Sequence, residues 1–184
     1  MATHKLVLLP GQTFPDLTVT LTTGEQEVVK SDGKNAKLIV VYRGAFCPFC
    51  NATAEELKKG LPKLKENGID VIMLSADLLD VAKKFVADHS LDFPVGHSLD
   101  EAQLKTLSTY VSSPTNYIEQ KQIFSEPAWF LLEANNKIKY VEYGSTSFSA
   151  RPNIDKLLAG YNYSKKRAQE YPEFGKVVFG SYNL

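Results

Sequence analysis

Cysteine is scarce: the 184-residue chain holds two. Two are too few for a disulfide framework, and a chain of this length builds a core without such staples. A zinc site would need further ligands, and His4, His89 and His97 show no paired spacing, so no metal is expected. Net charge is missing too, with 21 Lys plus Arg against 21 Asp plus Glu. A balanced surface gives no electrostatic footing for nucleic acid or an anionic membrane, and Lys165-Lys166-Arg167 reads as a solvated face. Long apolar runs are absent. Leu38-Ile39-Val40-Val41 is typical, far short of the roughly 18 residues that span a bilayer. Leu6-Val7-Leu8-Leu9 is too short for a secretory core and no small-residue cleavage site follows it, so a cytoplasmic location is expected.

What is present describes an ordinary globule, 43% hydrophobic and 23% charged. Residues 11 to 30 alternate through Leu17-Thr18-Val19-Thr20-Leu21 and predict a β-hairpin turning near Thr22-Thr23-Gly24. Lys37 to Tyr42 and Asp70 to Ala76 are apolar, β-branched runs of the kind buried on both faces of a sheet. Asn51 to Glu66 has helical spacing in Ala54, Leu57, Leu61 and Leu64, with Pro62 expected to kink or split it. Further helices are expected over Leu79 to His89, Asp100 to Ser108, and from Pro152 to about Ala159. A short extended piece surrounds Phe93-Pro94-Val95, and Ala128 to Leu132 with Lys137 to Tyr143 flank an Asn135-Asn136 turn. This order predicts an α/β fold whose central mixed sheet has a parallel part and an antiparallel edge. One domain over residues 1–160 is followed by an aromatic-rich extension, 161–184, expected to pack on the domain or on a partner subunit in a homodimer. Tyr110 to Phe124 lacks a clear period and reads as a surface loop or as a lid near the site.

The cysteines stand as Cys47-Pro48-Phe49-Cys50, directly after a strand and at the start of a helix. Random placement would put two cysteines three apart in only ~1% of chains, whereas this spacing recurs in redox sites. Pro48 suits the first helical position and makes Cys47 the N-cap. Unpaired N–H groups, the positive end of the helix and Arg43 all favour a thiolate there. The gain is modest. Lowering the pKa from ~8.5 to ~6.5 raises the thiolate fraction at pH 7 from ~3% to ~75%, while nucleophilicity falls about eightfold. Cys50, one turn on, matters more, because it resolves a mixed disulfide intramolecularly. Buried, inert structural cysteines are the bland alternative.

The stretch Tyr42 to Asn51 resembles the active site of the thioredoxin superfamily. Across residues 11 to 160 the chain is similar to the AhpC/TSA, peroxiredoxin-like redoxins: Gly11-Gln12-Thr13-Phe14-Pro15-Asp16-Leu17 resembles their opening, and Asp70 to Asp77 their second core strand. The resemblance implies a thioredoxin-like fold, a cis Pro127 lining the dithiol, and a site shaped by Arg43, Phe46, Pro48, Phe49, Pro127 and Trp129 around the catalytic Cys47 and Cys50. It also implies no cofactor, with electrons supplied by a thioredoxin- or glutathione-type thiol. There are departures. Against peroxiredoxins, Cys50 falls on the peroxidatic cysteine, Cys47 replaces a threonine, and Ser125 and Glu126 stand where an arginine is kept; Arg43 and Arg151 are the arginines available to replace it. Against thioredoxin, Cys47 is the nucleophile and Cys50 the resolver, and Val41 stands where a buried acid is held.

Three functions follow. One is an oxidoreductase in which Cys47 attacks a protein or low-molecular-weight disulfide and Cys50 resolves it. The second is an antioxidant thiol peroxidase using the same pair, through a sulfenic acid. The third is a non-catalytic redox sensor or binding module.

Overall fold

The computed structural model describes residues 7–113 and 122–177. Among the described residues nine strands and four α-helices follow in order: β1 (Thr18–Leu21), β2 (Gln26–Val28), β3 (Ala36–Val41), α1 (Pro48–Glu66), β4 (Ile69–Leu74), α2 (Leu79–His89), β5 (Val95–His97), α3 (Glu101–Thr106), β6 (Val111–Ser112), β7 (Phe124–Ser125), β8 (Ala128–Leu132), β9 (Ile138–Tyr143) and α4 (Ile154–Glu170). Seven strands form one mixed sheet in the order β2-β1-β5-β4-β3-β8-β9. The centre β3-β4-β5 is parallel and both flanks are antiparallel. β6 and β7 pair separately.

Alternation along the central strands divides the core in two. Leu38, Val40 and Tyr42 face α1 and α4, together with Val71, Met73, Trp129 and Leu131. Ile39 and Val41 face the opposite way, toward Phe14, Phe130, Leu104 of α3 and Leu107 just after it. A strand covered on both faces is apolar where it is covered, which is why Leu38–Val41 has no polar residue, while partly exposed Lys37 near the strand's start pairs with Glu27 at 2.7 Å.

α1 runs unbroken for 19 residues through Pro62, where the sequence predicted a kink or a split. Pro62 is exposed, so the carbonyl it leaves without a donor lies on the solvent side, while Leu57, Leu61 and Leu64 anchor the buried face. α4 differs more from expectation. Asn153 is its N-cap, with Oδ1 accepting the Lys156 N–H at 2.9 Å, so Pro152 precedes the helix instead of opening it. The helix then continues past Ala159 and Gly160 to Glu170. Tyr161 packs against the core, while Tyr163 and Tyr171 are exposed. Arg167 lies over the rings of Tyr171 and Phe174 at 4.2 and 5.8 Å, folding the end of the described chain back on α4. Phe179 and Tyr182 of the extension lie outside the described residues, as does the middle of the loop read as a lid. No helix among the described residues is long and apolar enough to cross a membrane.

Candidate active site

Cys47 and Cys50 sit beyond the carboxyl end of β3, at the first turn of α1, where open α/β sheets gather reactive groups. Cys47 is the N-cap, with φ −90° and ψ 117°, and Pro48 opens the helix, as the motif predicts. Its carbonyl accepts from Cys50 N at 2.9 Å and Asn51 N at 3.1 Å. Both cysteines are free.

The two sulfurs differ sharply. The Cys47 thiol is lowered to about 5, first because the Cys50 thiol donates to it, against the opposing effect of burial; the Cys50 N–H, Arg43 and Arg151 add to the lowering. Cys50 is pushed well above the ordinary thiol value, first by desolvation and then by its bond to Cys47. A thiolate paired with a protonated neighbour is what a nucleophile and its resolver require.

Burial departs from expectation. The motif suggests an exposed nucleophile, yet Cys47 is 1% and Cys50 0% exposed. Both belong to the core cluster on the α1 face of the sheet, and Arg151, on the loop between β9 and α4, lies against them. Its Nη1 approaches Cys50 Sγ at 3.3 Å and Thr53 Oγ1 at 3.4 Å, its Nη2 approaches Cys47 Sγ at 3.9 Å, and Nη2 also donates to the Ser147 carbonyl. A buried thiolate needs a countercharge, and this loop folds one across the pair. Beside it the exposed rings of Phe49 and Phe148, 48% and 67% accessible, meet edge-on at 6.5 Å.

Arg43 is held in place by its surroundings. Its guanidinium lies over Phe46 at 5.4 Å and Phe124 at 4.9 Å, and its Nε pairs with Glu126 Oε2 at 3.0 Å. Glu126 Oε1 accepts from Ser112 Oγ at 2.7 Å, so the two ends of the loop read as a lid, Val111–Ser112 and Phe124–Ser125, frame this arginine. Trp129 is buried in the same cluster as both cysteines. Pro127 is buried at the start of β8, its carbonyl accepting from Gly144 N at 2.7 Å. The Glu126–Pro127 bond is trans, contrary to the resemblance; among the described residues there is no cis peptide. Glu126 N donates to Tyr110 O at 2.8 Å, and Glu126 engages Arg43, contacts that accompany the trans isomer ordinarily preferred before proline.

Sequence reasoning missed two supports of the cysteine loop. Asn51 Nδ2 donates to Ala45 O at 3.0 Å and Cys47 O at 2.8 Å, while its Oδ1 meets His89 Nε2 at 2.6 Å; His89 Nδ1 meets Glu55 Oε1 at 2.7 Å. His89 was set aside for want of a partner in sequence, and its partners come from the facing helix. Asp77, beyond β4, is buried; its Oδ2 accepts from Ala45 N at 2.9 Å and Ser75 Oγ at 3.2 Å. Burial raises its carboxyl above the ordinary range. Gly44, at φ 148°, allows this approach, because a Cβ there would stand 2.7 Å from Asp77 Oδ1. No group of three or more His, Cys, Asp or Glu among the described residues is placed to hold a metal ion.

Residues 9–158 match the Redoxin family model. The chain belongs to the Redoxin family. This redoxin is 30% identical over 129 residues to the thiol–disulfide oxidoreductase ResA of Bacillus thuringiensis (strain Al Hakam), an alignment covering 70% of the chain and 66% of that relative. It therefore spans just under two thirds of the length of the curated relative. Among solved structures it superimposes on a peroxiredoxin-like protein from Aquifex aeolicus with a TM-score of 0.70 at 17% identity, covering 86% of this chain and 88% of the other. Peroxidoxin BcpB from Mycobacterium tuberculosis gives 0.69, also at 17% identity, with 85% and 97% covered. These likenesses confirm the thioredoxin-like architecture of the redoxin.

The depressed Cys47 value has a measurable signature. Alkylation of reduced protein by iodoacetamide is expected to stay level from pH 8 down to about 6 and then fall about tenfold per pH unit below about 5. An unperturbed thiol would already decline below ~8.5. The sign for stability follows. Between about 5 and ~8.5 the unfolded cysteine holds a proton that the folded one has lost, so this group makes reduced redoxin more stable as pH rises through that window.

Proposed function

We propose that this redoxin is a thiol–disulfide oxidoreductase cycling Cys47 and Cys50 between dithiol and disulfide. The observation that carries it is the asymmetry of the pair: a thiolate at a helix N-cap, one turn from a protonated, buried partner. The Cys47 thiolate attacks one sulfur of a substrate disulfide; that S–S bond breaks, one substrate thiolate leaves, and a mixed disulfide forms. Cys50 gives up its proton and attacks Cys47 Sγ, releasing the second substrate thiolate and closing the internal bond. The substrate has gained two electrons; a thioredoxin-type dithiol, or two glutathione-type thiols, then reduces the Cys47–Cys50 bond by two electrons and is itself oxidised to a disulfide. The similarity to ResA, a thiol–disulfide oxidoreductase, supports this reading. Turnover requires the 145–151 loop to lift Arg151, because Cys47 is covered in the reduced form.

A second reading, peroxide reduction, is favoured by one observation: Arg151 places guanidinium donors beside both sulfurs, where charge would develop on a peroxide oxygen. Stopped-flow mixing of reduced redoxin with a model disulfide and, separately, with hydrogen peroxide separates the two. Rapid reaction with the disulfide, yielding an intact chain lighter by two hydrogens, is the expected result. Rapid oxidation by peroxide with sluggish disulfide exchange would replace it with the peroxidase, and inertness to both would leave a sensor.

A further inference from the structure

A groove of about 470 Å³ opens between α4 and the outer strands β8 and β9. On its floor Trp129 stacks on Tyr140, with ring centroids 4.6 Å apart and planes inclined by 21°. Arg151, Lys139, Lys156 and Glu142 bring charge to its walls. Glu142 is committed to Trp129 Nε1 at 2.8 Å, and Lys139 to Glu133 at 3.2 Å. Lys156 is exposed, and its amino group has no ion pair among the described residues.

Arg151 belongs to two places at once. It lines this groove, and its Nη atoms lie against both sulfurs. Its third donor, Nε, is buried without a hydrogen-bond partner among the described residues. A buried donor left unsatisfied is unfavourable, and a carboxylate is the acceptor a guanidinium edge takes best.

We propose that the groove binds an organic carboxylate with an apolar body, its charged end held by Lys156 and the Arg151 guanidinium and its apolar part lying on the Trp129–Tyr140 stack. The volume suits a small molecule. With Glu142 committed to Trp129 and Lys139 to Glu133, the lining charge left over is the cation Lys156, joined by Arg151 once the thiolate is gone, and this sets the sign of the ligand. The aromatic floor sets its character, since an inorganic anion would leave the stack uncovered. Binding is coupled to redox state. In the dithiol form Arg151 balances the Cys47 thiolate; in the disulfide that charge is gone and the guanidinium serves the ligand alone. The oxidised protein therefore binds the carboxylate more tightly, and the ligand favours the disulfide by the same factor. This redox dependence rests on the proposed dithiol–disulfide cycle, whereas occupancy of the groove does not.

Trp129 is the single tryptophan, so its fluorescence reads the groove directly. The full chain is titrated with 4-phenylbutyrate and with its uncharged amide, both reduced and after treatment with diamide. Diamide takes two electrons and two protons from the dithiol, closes the S–S bond and is itself reduced to the hydrazine. Saturable change with the carboxylate is expected, at least about tenfold weaker for the amide, and about tenfold tighter in the oxidised protein than in the reduced one, the scale of one well-placed charge pair. Arg151→Gln should bring the oxidised-to-reduced ratio to about one, and the surface change Lys156→Gln should weaken both states alike. No saturable change, equal binding of the amide, or equal affinity in the two redox states overturns the proposal. Thiol counting of the diamide-treated sample keeps the two readings apart. If no disulfide forms, the cycle fails, and the groove stands or falls on the carboxylate-over-amide preference of the reduced protein.

Discussion

Cys47→Ser is expected to slow the reaction of the reduced protein with a model disulfide by at least about a thousandfold, while Cys50→Ser leaves the first attack almost intact. The reason lies in the unequal environments of two chemically identical side chains. Cys47 is ionised at neutral pH because Cys50, Arg43 and Arg151 all favour its charge. Cys50 is desolvated and donates to Cys47, so it holds its proton. In Cys47→Ser the remaining thiol is protonated and covered, and serine is not ionised at this pH. In Cys50→Ser the attack proceeds and then stops at a mixed disulfide with no neighbour to resolve it. That species is detectable by mass as a stable adduct. Rapid disulfide exchange persisting in Cys47→Ser would make Cys50 the nucleophile and reverse the assignment.

The second large effect is on folding. Glu126→Gln is expected to lower stability by about 3 kcal/mol or more, seen as a lower urea midpoint with an unchanged slope. The Arg43 and Glu126 side chains are only 14% and 7% exposed, and Arg43 is enclosed by Phe46 and Phe124. Removing the carboxylate charge leaves a guanidinium in a low-dielectric sandwich without its partner. The pair itself contributes much less than this loss suggests, because burying both ions is costly. Replacing both, as Arg43→Met with Glu126→Leu, is therefore expected to recover most of the stability. A double variant as unstable as the single one would show that the ring contacts or the Ser112 hydrogen bond carry the effect instead. The same pair explains a departure from the peroxiredoxin pattern. With an acid at position 126 there is no second cation in that place, and the arginine over the sulfurs comes from position 151.

How much of this was legible in the chain differs by element. The central strands could be read because burial on both faces makes Leu38–Val41 continuously apolar, with the one charge, Lys37, partly exposed near the start of the strand. α2 was legible to its ends because Leu79 to His89 keeps helical spacing between polar breaks. The end of α4 was not: the sequence predicts it near Ala159, and the helix continues through Gly160 to Glu170 with Tyr161 packed on the core. Pro62 misled for a related reason: proline rules describe a lone helix, and here the buried face of α1 holds the turn together.

The site divides along the same line. The three-residue spacing of Cys47 and Cys50, with Pro48 between strand and helix, was enough to specify an N-capping sulfur and its resolver, because cap, proline and second cysteine lie within one turn. Local order along the chain carries that information. Arg151 over the sulfurs, Asp77 under the loop and His89 behind Asn51 are 104, 30 and 42 residues from Cys47 by numbering, on elements that meet it only once the sheet is assembled. Tertiary structure alone decided what covers the charged sulfur, which countercharge lies beside it and where a ligand can lie. Charge stabilisation in a buried site depends on distance through space, and a sequence without its fold does not contain those distances.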